Sequence, residues 1–250
     1  MLLIIKNFNL MALITTKAIV ISAIKYSDTS LIVKCFTLED GIRSYMIRGV
    51  LKSRKGKLKK AYFQPLTQLI IEANHNNKNS LNSIREAQVI NAYESIYTSV
   101  IKQSIVLFLS EILSTIIKEE EKNEVLYEFI ETSLIWLDTH DAIANFHLLF
   151  LLNLSRFLGF YPDVSEPNKM TFNLLDGRFT DASYEKLVIT GNELILFKRL
   201  LGINFDSIHR ISYNKNERQI ILRIIVRYFE LHLEGFKEPR SLNILETVFS

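Results

Sequence analysis

SLIVKCFTLEDGIRSYMIRGVLKSRKGKLKK, residues 30–60, holds two runs of apolar and β-branched residues, a turn between them, and a tail of positive charge. The first run covers residues 30–38 and the second 42–51. Asp40-Gly41 separates them, and Asp-Gly between such runs is a strong signal for a β-hairpin. Working outward, residues 14–24, 62–73 and 82–90 have the same strand-forming composition. The polar loop NHNNKNS, residues 74–80, joins the last two. Five short strands in succession predict a small closed barrel, since closure removes the exposed edges of an open sheet, and an OB-type barrel fits best.

Near residue 90 the period changes. Ile101, Ile105, Phe108, Leu109, Ile112, Leu113 and Ile116 recur at three- and four-residue spacing, with Glu111 and Lys118 off that face. Residues 124–137 repeat the pattern. Residues 142–158, AIANFHLLFLLNLSRFL, are apolar nearly all round and predict a central bundle helix, stopped by Gly159 and Pro162. Asn145, His147, Asn153 and Arg156 interrupt that run, which argues against a membrane span. MTFNLLDGRFTD predicts a β-hairpin at about residues 170–181, turning at Asp176-Gly177, and residues 191–201 and 217–233 predict further helices. The expected class is therefore α+β. An OB-type barrel occupies residues 1–88, with residues 1–11 as an extension ahead of it, and a helical domain with an inserted hairpin occupies residues 89–250.

Charge separates the two parts. Residues 1–85 carry 14 Lys and Arg against 4 Asp and Glu, while residues 86–250 carry 16 against 23, within a chain of net charge +3. A basic field over the first part attracts polyanions, and phosphate backbones are the commonest such target. The single cysteine, Cys35, excludes an intramolecular disulfide and a four-cysteine zinc site. The opening MLLIIKNFNLMALITTK has too short an apolar run before Lys6 for a secretory signal, so a cytoplasmic protein is expected.

Motifs of enzymatic chemistry are missing. There is no P-loop, no dinucleotide-binding glycine fingerprint and no GxSxG elbow. His140 and His147, seven residues apart, lack a third convincing metal ligand, and they read as one exposed histidine and one packed against the bundle. Cys35 reads as a small buried hydrophobe. The expectation is no catalytic residue, no metal and no cofactor.

The basic run from Arg48 to Lys60 is the specific feature, with seven cations and no acid. Arg43, Tyr45, Tyr62 and Phe63 bring further cations and aromatic rings close to it in sequence. A basic groove that follows phosphates, with aromatic faces for unpaired bases, is how OB-type barrels hold single strands. Arg43, Arg48, Lys52, Arg54, Lys55, Lys57, Lys59, Lys60 and Tyr62 are the candidate DNA-binding residues.

The stretch AIVISAIKYSDTSLIVKCFTLEDGIRSYMIRGVLKSRKGKLKKAYFQPLTQLIIEA resembles the N-terminal barrel of the bacterial RecO family. The features that carry the resemblance are Asp28 with Leu31, Phe36-Thr37 before Asp40-Gly41, Gly49 before Lys52 to Lys60, and Gln64-Pro65. The likeness continues through FLGFYPD and into the tail HLEGFKEPRSLNILETVF. Many members carry a four-cysteine zinc site after the Gly-x-x-Pro element. Here Gly159 and Pro162 lead into a cysteine-free hairpin, so packing of Phe172, Leu174 and Phe179 is expected to do the work of the metal.

The resemblance implies a non-enzymatic mediator of DNA repair and recombination. Such a protein binds single- and double-stranded DNA, anneals complementary strands, associates with RecR, and contacts the C-terminal tail of single-strand-binding protein, so that RecA, an indirect partner, can load. For the tail, the helical domain offers Lys198, Arg199, Arg223 and Arg227. Two other classes are weighed beside this one. A membrane-surface or scaffold protein needs an amphipathic basic helix or lipid anchor, and the loop has neither. A metal-dependent nuclease needs clustered carboxylates, whereas the first 85 residues offer only Asp28, Glu39, Asp40 and Glu72.

Overall fold

The structure, a computed structural model, describes residues 12–52, 56–75, 81–118, 121–181 and 187–249. Strands β1 (Ala12–Lys25), β2 (Leu31–Thr37), β3 (Gly41–Ile47), β4 (Gln68–His75) and β5 (Ser83–Val89) form an antiparallel sheet in the order β3-β2-β1-β4-β5. The two ends of that sheet meet. Tyr45 and Asn82 form a parallel bridge, in which Met46 N–H donates to the Asn82 carbonyl and Asn82 N–H to the Ser44 carbonyl, each at 2.9 Å. This closes the expected OB-type barrel. Strand β1 serves both halves, pairing with β4 through residues 12–19 and with β2 through residues 18–25, and a bulge between Val20 and Ser22 bends it from one to the other.

Alternation fills the interior. Ala18, Val20, Leu31, Val33, Cys35, Tyr45, Ile47, Leu69, Ile71 and Ala73 form one buried cluster. The Cys35 thiol is pushed up to about 12 by burial, which leaves it protonated and inert. Two strand expectations are corrected. The run expected at residues 62–73 begins at Gln68; before it Lys60–Phe63 is a 3-10 turn, after which Pro65, lacking an N–H, and Leu66, at φ 58, redirect the chain. The run expected at residues 42–51 stops at Ile47, because Gly49 turns at φ 71.

The chain forms two compact units, and neither is a single segment. One takes in the described residues up to Tyr93 together with Leu113–Leu134; the other takes in Glu94–Ile112 together with Ile135 onward. Helices α1 (Val100–Ile116) and α2 (Glu124–Thr139) therefore contribute residues to both. In the first unit the helical segment covers the outer face of the barrel at one end. Phe36, on the opposite side of β2 from Cys35, is buried with its ring centroid 5.7 Å from that of Tyr127. The Lys34 amine donates to the carbonyls of Ser114 at 3.0 Å and Ile117 at 3.4 Å. A cation there complements the negative end of α1, an interaction of about 0.3–1 kcal/mol. Lys17 pairs with Glu131 at 3.1 Å, and the Gln68 amide donates to the Glu131 carbonyl at 3.0 Å.

The second unit holds α3 (Phe146–Phe157), strands β6 (Thr171–Asn173), β7 (Arg178–Thr180) and β8 (Val188–Thr190), then α4 (Gly191–Leu200), α5 (Lys215–His232) and α6 (Leu242–Val248). Helix α3 begins four residues later than its apolar run, and just ahead of it the Asn145 amide donates to the Ile211 carbonyl at 2.9 Å while its oxygen accepts from Arg218 at 3.3 Å. The expected hairpin is present, with β8 added as a third strand in the order β7-β6-β8. Phe172, Leu174 and Phe179 are all buried, and Phe172 lies 5.0 Å from Phe179 and 5.1 Å from Phe197 between ring centroids. An apolar core therefore holds this cysteine-free hairpin. Asn214 and Glu217 form a capping box at the start of α5, two residues ahead of its expected start. His147 is wholly buried in α3, as its apolar surroundings imply, whereas His140 follows the end of α2 and stacks on Trp136 at 4.1 Å.

Candidate nucleic-acid interface

The basic run leaves β3 at Arg48 and returns to the barrel at Phe63. Its apolar residues hold it down: Val50 and Phe63 belong to the barrel core, and Leu51, Leu58 and Tyr62 pack against that core. Leu51 N–H also donates to the Thr29 carbonyl at 3.1 Å, tying the start of the run to the turn between β1 and β2. Lysines placed between such anchors are left in solvent, and Arg48, Lys52, Lys57, Lys59 and Lys60 are all exposed. Arg54 and Lys55 lie outside the described residues.

Lys57 pairs with Glu86 of β5, and the hydrogen bond from Lys57 holds the Glu86 carboxyl below the usual carboxylate range. Both side chains are exposed, so this pair is weak and exchangeable. The Lys59 amine stands 5.9 Å from the centre of the Tyr62 ring. These contacts leave the outer surface of the run able to meet an anion.

Arg43 does not join that row. It faces Cys35 across the β2–β3 ladder and shares the interior side of β3 with Tyr45 and Ile47. Half-buried, it lies within electrostatic range of a polar cluster. There the Tyr45 hydroxyl and His75 Nε2 are 2.7 Å apart, and His75 Nδ1 lies 2.9 Å from Asp40. Burial lowers the His75 pKa against the opposing pull of Asp40. Of the aromatic rings expected beside the run, Tyr45 and Phe63 are buried, and Tyr62 is half-buried against the core.

The four cations of the helical part divide. On α4, Lys198 donates to the Lys169 carbonyl at 3.1 Å and lies 5.1 Å from the Phe179 ring centre, a packing role, while Arg199 is exposed. On α5, Arg223 and Arg227 line a groove of about 220 Å³ with Val226, Glu230 and Leu242. Both already have partners: Arg223 holds Glu246 of α6 at 2.9 and 3.1 Å, and Arg227 holds Glu230 at 2.8 Å.

Comparison with known proteins gives the family of this barrel and of the helices that follow it. Residues 11–93 match the family model described as Recombination protein O N terminal, and residues 98–242 match the one described as Recombination protein O C terminal. The chain belongs to the RecO family. Relatives called DNA repair protein RecO are spread across it. That of Flavobacterium psychrophilum is 50% identical over 237 residues, covering 95% of this chain and 99% of the relative. That of Bacteroides fragilis is 36% identical over 238 residues, covering 94% and 98%. That of Porphyromonas gingivalis is 31% identical over 243 residues, covering 95% and 99%. Among the described residues of this RecO-family chain, no helix is long and apolar enough to cross a membrane.

Proposed function

We propose that this chain is a cytoplasmic recombination mediator in DNA repair that binds single- and double-stranded DNA, anneals complementary strands and helps RecA load onto DNA covered by single-strand-binding protein. The observation that carries the reading is the row Arg48, Lys52, Lys57, Lys59 and Lys60, exposed to solvent yet anchored to an OB-type barrel by Val50, Leu51 and Leu58. Such a row meets phosphates without reading bases. Two strands held on one basic surface repel each other less and stay at high local concentration, so annealing needs no covalent chemistry.

DNA contact is assigned to the barrel of residues 1–88, and contact with RecR and single-strand-binding protein to the helical part from residue 89. The groove between α5 and α6 supports the second assignment. An acidic peptide end can exchange for Glu246 or Glu230 on Arg223 and Arg227 while its apolar residues meet Val226 and Leu242.

One experiment tests the mediator reading and its dependence on the tail. The full chain is mixed with complementary oligonucleotides, either bare or coated with single-strand-binding protein that carries or lacks its C-terminal tail. Annealing should accelerate on bare strands, and on coated strands only when the tail is present. No acceleration on bare strands overturns the mediator reading. Acceleration on coated strands without the tail overturns the assignment of the groove.

A further inference from the structure

The chain itself closes one wall of the groove between α5 and α6, and it holds the two ends of α6 in different ways. At the start, the N–H groups of Arg240 and Ser241 and the Ser241 hydroxyl donate to the Glu111 carboxylate at 2.8, 2.9 and 2.6 Å. Leu242 and Leu245 are buried behind that anchor. At the far end Glu246 lies on Arg223, whose side chain is 69% exposed, and Phe249 is half-buried. A helix of seven residues has no stability of its own, so its last turn stays in place only as well as these two contacts hold it. The ion pair, open to solvent on the arginine side, is exchangeable.

Phe249 leaves the groups beneath it unanswered. Its ring stacks on His147 at 5.0 Å and stands 5.3 Å from the Arg218 guanidinium. His147 is wholly buried, and both its ring nitrogens lack a hydrogen-bond partner, a costly state for buried polar atoms. Arg218 donates to the Asn145 side-chain oxygen at 3.3 Å and to the Tyr213 carbonyl at 3.1 Å, neither of them an acid. A phenyl ring satisfies none of these groups, whereas a peptide brings carbonyl, amide and carboxylate groups to the same place.

We propose that residues Glu246–Phe249 are an autoinhibitory segment that an acidic, apolar-ended peptide must displace in order to bind. Glu246 stands on Arg223 where the peptide's carboxylate would go, and Phe249 stands against His147 and Arg218 where its apolar end would go. The segment thus carries the same pairing of acid and apolar group as the peptide it excludes. Glu111 keeps the start of α6 in place, so Leu242 still lines the groove after the last turn has lifted. Apparent affinity for the peptide is then reduced by the fraction of chains that are closed. This inference rests on the peptide-groove reading above and adds that the groove is closed until the peptide opens it.

The test titrates the full chain, Glu246→Gln, Phe249→Ala and Arg223→Ala with a fluorescent peptide of the tail of single-strand-binding protein. Glu246→Gln and Phe249→Ala should each bind it more tightly than the parent by roughly 5- to 30-fold, because losing one holding contact raises the open fraction by that much. Arg223→Ala should bind it weakly. Hydrogen exchange in the unaltered chain gives a second readout, since saturating peptide should speed exchange of the amides of residues 246–249 as the last turn lifts. Either tightening variant binding no better than the parent, or peptide slowing that exchange, overturns the proposal and leaves a groove that fills with α6 in place. Unchanged binding by Arg223→Ala, or no binding by the parent and Glu246→Gln alike, sinks the groove reading itself.

Discussion

His147 sits in α3 with both ring nitrogens buried and without a hydrogen-bond partner, its ring stacked 5.0 Å from Phe249 and edge-on to Phe108 at 6.5 Å. Burial, reinforced by the nearby Arg218 charge, pushes its pKa down to about 3. In the unfolded chain an ordinary histidine titrates near 6.5, so below that pH the unfolded state takes up a proton that the folded state refuses. The stability this neutral ring supports is complete above about pH 6.5 and is lost progressively as pH falls toward 3. At pH 5 the loss is about 2 kcal/mol. His147→Phe should keep the ring packing and remove the titration. Its gain in thermal midpoint over the parent should be larger at pH 5 than at pH 8, and equal gains at both would show that His147 does not titrate in this way. Little of this is legible in sequence. An apolar helix announces that His147 is buried, but not that its ring nitrogens go without a hydrogen-bond partner. The fate of Arg43 is similar, since only the register that sets it opposite Cys35 turns it inward.

At the scale of elements, the strands, the Asp40-Gly41 hairpin, the bundle helices and the hairpin at Asp176-Gly177 were readable because each spans several periods or carries its own turn chemistry. β8 and α6, three and seven residues long, are too short for a period to show. The membership of residues 113–134 in the barrel's own unit is a tertiary fact invisible to periodicity, which sees one amphipathic helix ending and another starting. It has a consequence for dissection. A fragment ending at residue 93 keeps all five strands but uncovers Phe36, frees Lys34 from the end of α1, and leaves Lys17 and Gln68 without Glu131. Such a fragment should bind a hydrophobic dye and melt with little cooperativity, in contrast to the full chain. A soluble fragment with a sharp transition would show that the helical cover is dispensable.

Across the whole molecule, the excess of cations in residues 1–85 and of acids beyond them confines attraction for polyanions to the barrel, even though the net charge is only +3. The basic run was legible as a phosphate-binding candidate because charge is additive and needs no fold. Its anchoring was not, because it depends on Leu51 and Leu58 meeting a core assembled from five strands. The central claim is that the exposed lysines of this run neutralise phosphates, and the slope of log affinity against log salt measures it directly. Each lost contact lowers that slope by about 0.9 for duplex DNA. Replacing Lys52, Lys57, Lys59 and Lys60 with alanine changes only exposed side chains, so the thermal midpoint should hardly move. The duplex slope should fall by about 3 to 4, equally for unrelated sequences. A variant that folds normally and keeps the parent's slope would contradict the account.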